Sequence, residues 1–218
     1  MNHDEILKIL GTTNSPIAIG GYNSDSFDTD CQIYNLVVFD GKNISDIITK
    51  HESKIIKTSH GTLSESNSEI LLSYENLQII HDEQWELKTL RSRIQEKKNT
   101  LFSASAKNSL VESQLALSKA KNSLEQEDPF VSCWIKSGVI SLIDSILFQN
   151  QILPNPVNAL SSMRNLKQKN TNQFANKIIS ETGIERATES LLSRMLKSTC
   201  GFSDMVEKNQ NSIIIEKK

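Results

Sequence analysis

Gly20, Gly21 and a row of acidic residues share a short, mostly polar stretch that reads Gly-Gly-Tyr-Asn-Ser-Asp-Ser-Phe-Asp-Thr-Asp-Cys-Gln. Glycine has no Cβ and tolerates positive φ, so the backbone N–H groups of this pair can approach a phosphate closely. Asp28, Asp30 and Gln32 alternate along the chain, and alternate residues of a strand project from one face. Clustered carboxylates bind hard divalent cations. These residue types, in this order, predict a site for a metal-bound nucleotide.

Two apolar segments flank this stretch and must position it. Residues 17–19 precede Gly20, and residues 33–39 form an apolar, β-branched run. Short apolar runs bounded by turn residues are typical of buried strands. The sequence therefore predicts a strand, a polar loop and a second buried strand. Within that loop, Ser24 and Ser26 are candidates for hydrogen bonds to phosphate.

The order of these features resembles the DNA polymerase β-type nucleotidyltransferase superfamily, in particular its minimal and aminoglycoside nucleotidyltransferase members. In that family a Gly-Gly or Gly-Ser turn holds the triphosphate, and two carboxylates two residues apart bind divalent metal. The resemblance implies Mg²⁺ or Mn²⁺ at Asp30, with Gln32 at the second carboxylate position. Because a neutral amide is a poorer Mg²⁺ ligand than a carboxylate, the Asp-x-Asp motif is degenerate here. A register shifted by two residues restores an acidic pair, Asp28 and Asp30.

The same resemblance implies a third carboxylate on a later strand. Glu69 is the candidate, because it starts a strand predicted over residues 69–74, whereas Asp82 is predicted to cap the helix that begins near Trp85. The predicted catalytic residues are Asp28, Asp30, Gln32 and Glu69. The predicted nucleotide-binding residues are Gly20, Gly21, Ser24 and Ser26.

The hydrophobic periodicity changes near residue 83. Before that point, residues 4–10 and 43–52 are predicted as helices, and residues 17–19, 33–39, 54–57, 69–74 and 77–80 as strands. After it, the spacing is helical, with a long amphipathic helix around residues 110–124 and shorter ones at 156–168, 172–181 and 184–198. Residues 129–150 are apolar nearly all round, which predicts a helix at the centre of a bundle.

These patterns predict the α+β fold class. A nucleotidyltransferase-like α/β domain with a small mixed sheet is expected at residues 1–83. An all-α helical bundle is expected at residues 84–205, followed by a flexible tail at residues 206–218.

Charge and cysteine content restrict the partners and the location. The net charge of −2 gives no electrostatic reason to expect nucleic acid, although it leaves nucleic acid as an alternative partner. The three cysteines lie far apart, which predicts neither a disulfide framework nor a zinc site and favours a reducing cytoplasm. The apolar segment at residues 130–148 contains Lys136 and Asp144, so it is interpreted as a buried helix and no membrane contact is expected.

Two functional classes remain open. One is an enzyme that transfers a nucleotidyl group from an NTP to an unknown hydroxyl acceptor, with Gln32 indicating weak or lost activity. The other is a pseudoenzyme, a non-catalytic binding or regulatory module that acts through protein contacts, with a homodimer as one arrangement. Simpler interpretations also stay open, namely an ordinary glycine turn, a solvated aspartate loop and a solvated basic helix face at Arg91, Arg93, Lys97 and Lys98.

Overall fold

A mixed five-stranded sheet forms the N-terminal part of the fold. The computed structural model describes residues 14–20, 33–51, 54–155, 158–166, 174, 177–178 and 188–208. The strands are β1 (Ile17–Ile19), β2 (Ile33–Val38), β3 (Ile47–His51), β4 (Lys54–His60) and β5 (Gln78–His81). Their spatial order is β3-β4-β2-β1-β5. Strands β2 and β4 are parallel, and the other neighbours are antiparallel.

The edge strand β3 shows that the helix predicted over residues 43–52 is wrong. Ile44, Ile47 and Ile48 have the spacing of a helix face, but residues 41–46 have no regular structure and β3 pairs with β4. β-Branched residues favour a strand, and pairing with β4 satisfies the backbone groups of alternate β3 residues. The other four strands lie where the sequence predicts them, with small differences at their ends. The helix predicted at residues 4–10 lies outside the described residues.

Helix α1 (Ser68–Ser73) replaces the strand predicted over residues 69–74. Asn67 is its N-cap, because the side-chain oxygen accepts hydrogen bonds from the backbone N–H groups of Glu69 and Ile70 at 2.9 and 3.3 Å. Such a cap satisfies donors that the first helical turn leaves unpaired. Glu69 therefore lies in the first turn of a short helix and not at the start of a strand.

Helix α2 (Glu86–Glu125) is 40 residues long and joins the two helical segments predicted near residue 85 and around residues 110–124. The prediction that Asp82 is the N-cap of this helix is wrong, because the N-cap is Trp85, whose side chain makes no cap hydrogen bond. The carboxylate of Asp82, three residues earlier, accepts the backbone N–H of Lys88 at 3.1 Å. The first turns of α2 share one core with the sheet, formed by Leu87, Leu90 and Ile94 together with Ala18, Val37, Phe39 and Leu77. The division into domains at residues 83 and 84 stays a prediction.

Helix α3 (Val131–Gln149) folds back along α2 and is followed by α4 (Ala159–Arg164) and α5 (Glu189–Lys208). Two buried serine hydroxyls hold α2 and α3 together. Ser113 donates to the Gly138 carbonyl at 2.7 Å, and Ser145 donates to the Ala106 carbonyl at 2.8 Å. The prediction that α3 is buried all round is wrong, because Ile135 and Ile140 are 45% and 59% exposed. A small mixed sheet followed by helices confirms the α+β fold class.

Helix α3 is also the one helix in the described part of the chain that is long and apolar enough to cross a membrane. That criterion rests on length and composition, and core helices of soluble proteins meet it too. One such helix is a weak indication of a membrane protein.

Candidate functional site

Gly20 ends β1 in a backbone conformation that favours glycine. Its φ is 120°, a region that residues with a Cβ rarely adopt. The residue is buried, and its backbone N–H donates to the Asn35 carbonyl at 2.9 Å. That N–H belongs to the sheet, so contacts with a phosphate would come from the residues that follow. The turn itself accounts for glycine at position 20.

A groove lies between α2 and β5, the strand that pairs with β1. Ile19 pairs with Gln78, the first residue of β5, so Gly20 follows the strand position that borders the groove. The groove has a volume of about 650 Å³ and is lined by Gln78, Ile79, Lys88, Arg91, Ser92 and Gln95. Its four residues from α2 have the i, i+3, i+4, i+7 spacing of one helix face. The groove is largely open to solvent, and two cations on one wall suit an anionic ligand.

The four basic residues predicted as one face divide between two sides of α2. Arg91 borders the groove beside β5, whereas Arg93 and Lys97 line a separate cavity of about 220 Å³ that also contacts Leu63 and Leu101. Lys98 forms an ion pair with Glu75. Two successive steps on a helix turn the chain by about 200°, which separates residue 91 from residue 93.

Sequence reasoning missed Lys88 as a groove residue. Its position three residues before Arg91 was the available signal, since that spacing puts two cations on the same helix face. The ammonium group of Lys88 lies 3.8 Å from the centroid of the Trp85 ring. Trp85, with a φ of 60°, precedes α2 and is 63% exposed. The aromatic ring therefore holds one cation of the groove by a cation–π contact.

Most of the predicted site lies outside the described residues. The structure describes Gly20 and Glu69; the remaining predicted residues, Gly21, Ser24, Ser26, Asp28, Asp30 and Gln32, are outside it. Their roles stay predictions. The structure therefore tests the surroundings of the motif and not the motif itself.

Glu69 lies at the junction of α1 with the helical part. Its neighbour Ser68 accepts a hydrogen bond from Ser105 at 2.8 Å. Burial, together with the nearby Glu69 carboxylate, raises the pKa of Asp144 to about 6. The Glu69 carboxylate therefore lies near enough to Asp144 of α3 to repel its charge, and the role of Glu69 as a third metal ligand stays a prediction.

The resemblance implies a divalent cation, and the carboxylate oxygens of Asp28 and Asp30 suit Mg²⁺ or Mn²⁺ by their chemistry. Among the residues that the structure describes, no group of three or more His, Cys, Asp or Glu side chains could hold a metal ion. Two carboxylates fit a single ion that keeps several water ligands. A two-metal site would need a further acid beside them.

A second polar cluster, which sequence reasoning missed, lies at the opposite end of the sheet. Asp40 Oδ1 lies 2.9 Å from His60 Nδ1, and the Lys42 ammonium lies 3.1 Å from the other carboxylate oxygen. Burial by itself raises the pKa of Asp40, but hydrogen bonds from His60 and Lys42 outweigh it and lower the pKa to about 2. The parallel strands β2 and β4 bring these residues together. The cluster fastens the ends of two neighbouring strands.

Comparison with known proteins adds one structural similarity. The chain is similar to a nucleotidyltransferase-like protein from Exiguobacterium sibiricum, with a TM-score of 0.42 and 10% sequence identity over 95% of this chain and 90% of that chain. No protein-family model matches the chain, and no curated protein matches it. A similarity of this size leaves the function to be argued from the residues themselves.

Proposed function

We propose that this chain is a nucleotidyltransferase-fold protein that binds a nucleoside triphosphate with Mg²⁺ or Mn²⁺ and transfers nucleotidyl groups weakly or not at all. The observation that carries this proposal is the groove between β5 and α2, with Lys88 and Arg91 on its helical wall. The glycine turn and the carboxylates Asp28 and Asp30 support it from the sequence. A metal-bound triphosphate is the one ligand that all of these features can bind.

The groove residues supply interactions that a triphosphate requires. The guanidinium group of Arg91 can donate two parallel hydrogen bonds to a phosphate, and the Lys88 ammonium contributes a compact positive charge. Gln78 of β5 and Gln95 of α2 add side-chain amides, and the amide of Gln95 donates to the Glu75 carboxylate at 3.0 Å. A bound Mg²⁺ or Mn²⁺ would neutralise part of the triphosphate charge. We assign phosphate binding to the backbone N–H groups that follow Gly20. The cations of α2, Lys88 and Arg91, neutralise the remaining negative charge of the triphosphate.

Gln32 is the reason to propose weak or lost transfer to a hydroxyl acceptor. An amide at the second carboxylate position removes one negative charge from a site that holds cations. The second candidate function, a non-catalytic binding or regulatory module, rests on the same residue. The proposed location is a reducing cytoplasm, because the described cysteines Cys133 and Cys200 are free and exposed.

Replacing Arg91 by alanine is expected to weaken binding of a fluorescent ATP analogue about tenfold, equivalent to about 1.4 kcal/mol. The loss follows from removing one charge-assisted contact with the triphosphate. Arg93→Ala is the matched control, because it removes the same side chain from the opposite side of the same helix. Fluorescence anisotropy of the full-length protein measures both dissociation constants.

Equal affinities for Arg91→Ala and wild type would contradict the groove as the triphosphate site. Equal losses in both variants would mean that the helix acts through its overall charge. Thermal unfolding without nucleotide checks that each variant is folded at the assay temperature.

A further inference from the structure

The edge strand β3 presents an unusually apolar open side. Ile44, Ile47 and Ile48 are 51%, 49% and 69% exposed, and every described side chain from residue 41 to residue 49 is exposed. A sheet edge carries unpaired backbone N–H and C=O groups that can pair with another strand. Exposed isoleucines beside such an edge mark an interaction surface.

The hairpin geometry identifies which backbone groups face outward. His51 pairs with Lys54, so β3 and β4 are joined by a two-residue loop. The closing pair of such a hairpin exchanges its hydrogen bonds, and bonded pairs alternate with non-bonded pairs along the ladder. Thr49 and Ile47 therefore bond to β4. The backbone groups at positions 46, 48 and 50 point to the open edge.

We propose that β3 pairs with β3 of a second copy of this chain, as an antiparallel two-fold pair centred on Ile48. A two-fold axis places the same strand on both sides of the contact, so one sequence must complement itself. In this register Ile48 lies opposite Ile48 of the second copy, and both residues use outward-facing backbone groups. The contact joins the two sheets edge to edge and buries the most exposed isoleucine of β3.

Charge selects both the partner and the register. Position 46 carries an aspartate and position 50 a lysine, on the same face of the strand as Ile48. With Ile48 at the centre, each Asp46 lies opposite Lys50 of the other copy. A shift of the axis by two residues puts Asp46 opposite Asp46, or Lys50 opposite Lys50, and like charges in direct opposition destabilise a strand pair. An axis at Ile47 or Thr49 also pairs outward-facing backbone groups, but it places Ile48 opposite Asp46 or Lys50 and loses the pairing of opposite charges.

Asp46 is available for this contact. Its carboxylate lies 2.8 Å from the Lys57 ammonium, and both side chains are nearly half exposed. Exposed ion pairs contribute about 0–1 kcal/mol, so the pair with Lys57 competes only weakly with a contact across the interface.

The test is the mass of the full-length protein in solution, measured by light scattering after size exclusion. The wild type is expected at twice the 24.5 kDa of one chain. Asp46→Lys and Lys50→Asp each create like-charge opposition, and we expect each to weaken dimerisation at least tenfold. The double variant with both changes restores opposite charges and is expected to regain the dimer, although it also loses the ion pair with Lys57. Circular dichroism confirms that each variant is folded.

Three results would overturn the proposal. One is a wild type that stays monomeric at about 100 μM. Another is a single variant that keeps the dimer mass, which would put the interface elsewhere. The third is a folded double variant that stays monomeric. Should a charge variant fail to fold, Ile48→Thr replaces it: this exposed, β-branched substitution keeps the strand, and we expect severalfold weaker dimerisation, whereas an unchanged dimer would also contradict the interface.

Discussion

Replacing Phe148 by alanine is expected to lower the free energy of unfolding by about 3–5 kcal/mol, the usual effect of removing a fully buried phenyl ring. Phe148 is 1% exposed and packs with Leu72 of α1 and Phe102 of α2. The ring centroids of Phe102 and Phe148 lie 6.2 Å apart. One side chain therefore joins three helices, and urea denaturation of the full-length protein measures its contribution.

Ile140→Ala is the matched control for Phe148→Ala. Ile140 lies on the same helix but is 59% exposed, so its truncation leaves no cavity. We expect a change within about 0.5 kcal/mol. If both variants unfold at the same urea concentration as wild type, the junction of α1, α2 and α3 contributes nothing, and the packing described here is wrong.

Replacing Asp144 by asparagine is expected to stabilise the protein at pH 7.5 by about 1–3 kcal/mol. Burial and the Glu69 carboxylate raise the pKa of Asp144 from 3.8 to about 6 in the folded state. Between these values the folded state binds more protons than the unfolded state, so wild-type stability falls as the pH rises through this window. Each unit of pKa shift corresponds to about 1.4 kcal/mol, and partial solvent exposure reduces the effect.

The pH dependence separates this effect from ordinary packing. Below about pH 3 the carboxyl group of Asp144 is largely protonated in both states, so Asp144→Asn and wild type are expected to melt within about 2 °C of each other. Glu69→Gln removes the neighbouring charge and should give a smaller gain at pH 7.5. A variant Asp144→Asn that is less stable at pH 7.5 would mean that the ionised carboxylate makes a favourable contact.

Local sequence patterns correctly predicted the elements in which the hydrophobic periodicity of the sequence matches the face that the fold buries. Strands β1 and β2 are short apolar runs between turn residues, and α2 and α3 are long segments of helical spacing. The prediction for β3 was wrong because Ile44, Ile47 and Ile48 have helical spacing, whereas Ile47 and Ile48 lie in an exposed edge strand and Ile44 precedes it. Helix α1 misled in the opposite way, because its apolar run resembled a strand and its Asn67 cap was overlooked.

The sequence could predict only those parts of the site that come from neighbouring residues in the chain. The φ of Gly20 fits the glycine turn, and the groove could be foreseen only through Arg91. The Asp40–His60 hydrogen bond and the effect of the Glu69 charge on Asp144 both involve residues on different elements. No short motif encodes such contacts, because strand order and helix packing create them.

The measurement that tests the account most directly is the melting temperature of the full-length protein with each of the four NTPs, with and without Mg²⁺ or Mn²⁺. A ligand at one hundred times its dissociation constant stabilises the folded state by about 2.7 kcal/mol, which corresponds to about 5–10 °C for a chain of this size. We expect that rise with at least one NTP, larger when the metal is present. Gln32→Asp should melt lower without metal and gain more from it than wild type does. An unchanged melting temperature with every NTP, for wild type and for Gln32→Asp alike, would contradict triphosphate binding beside Gly20.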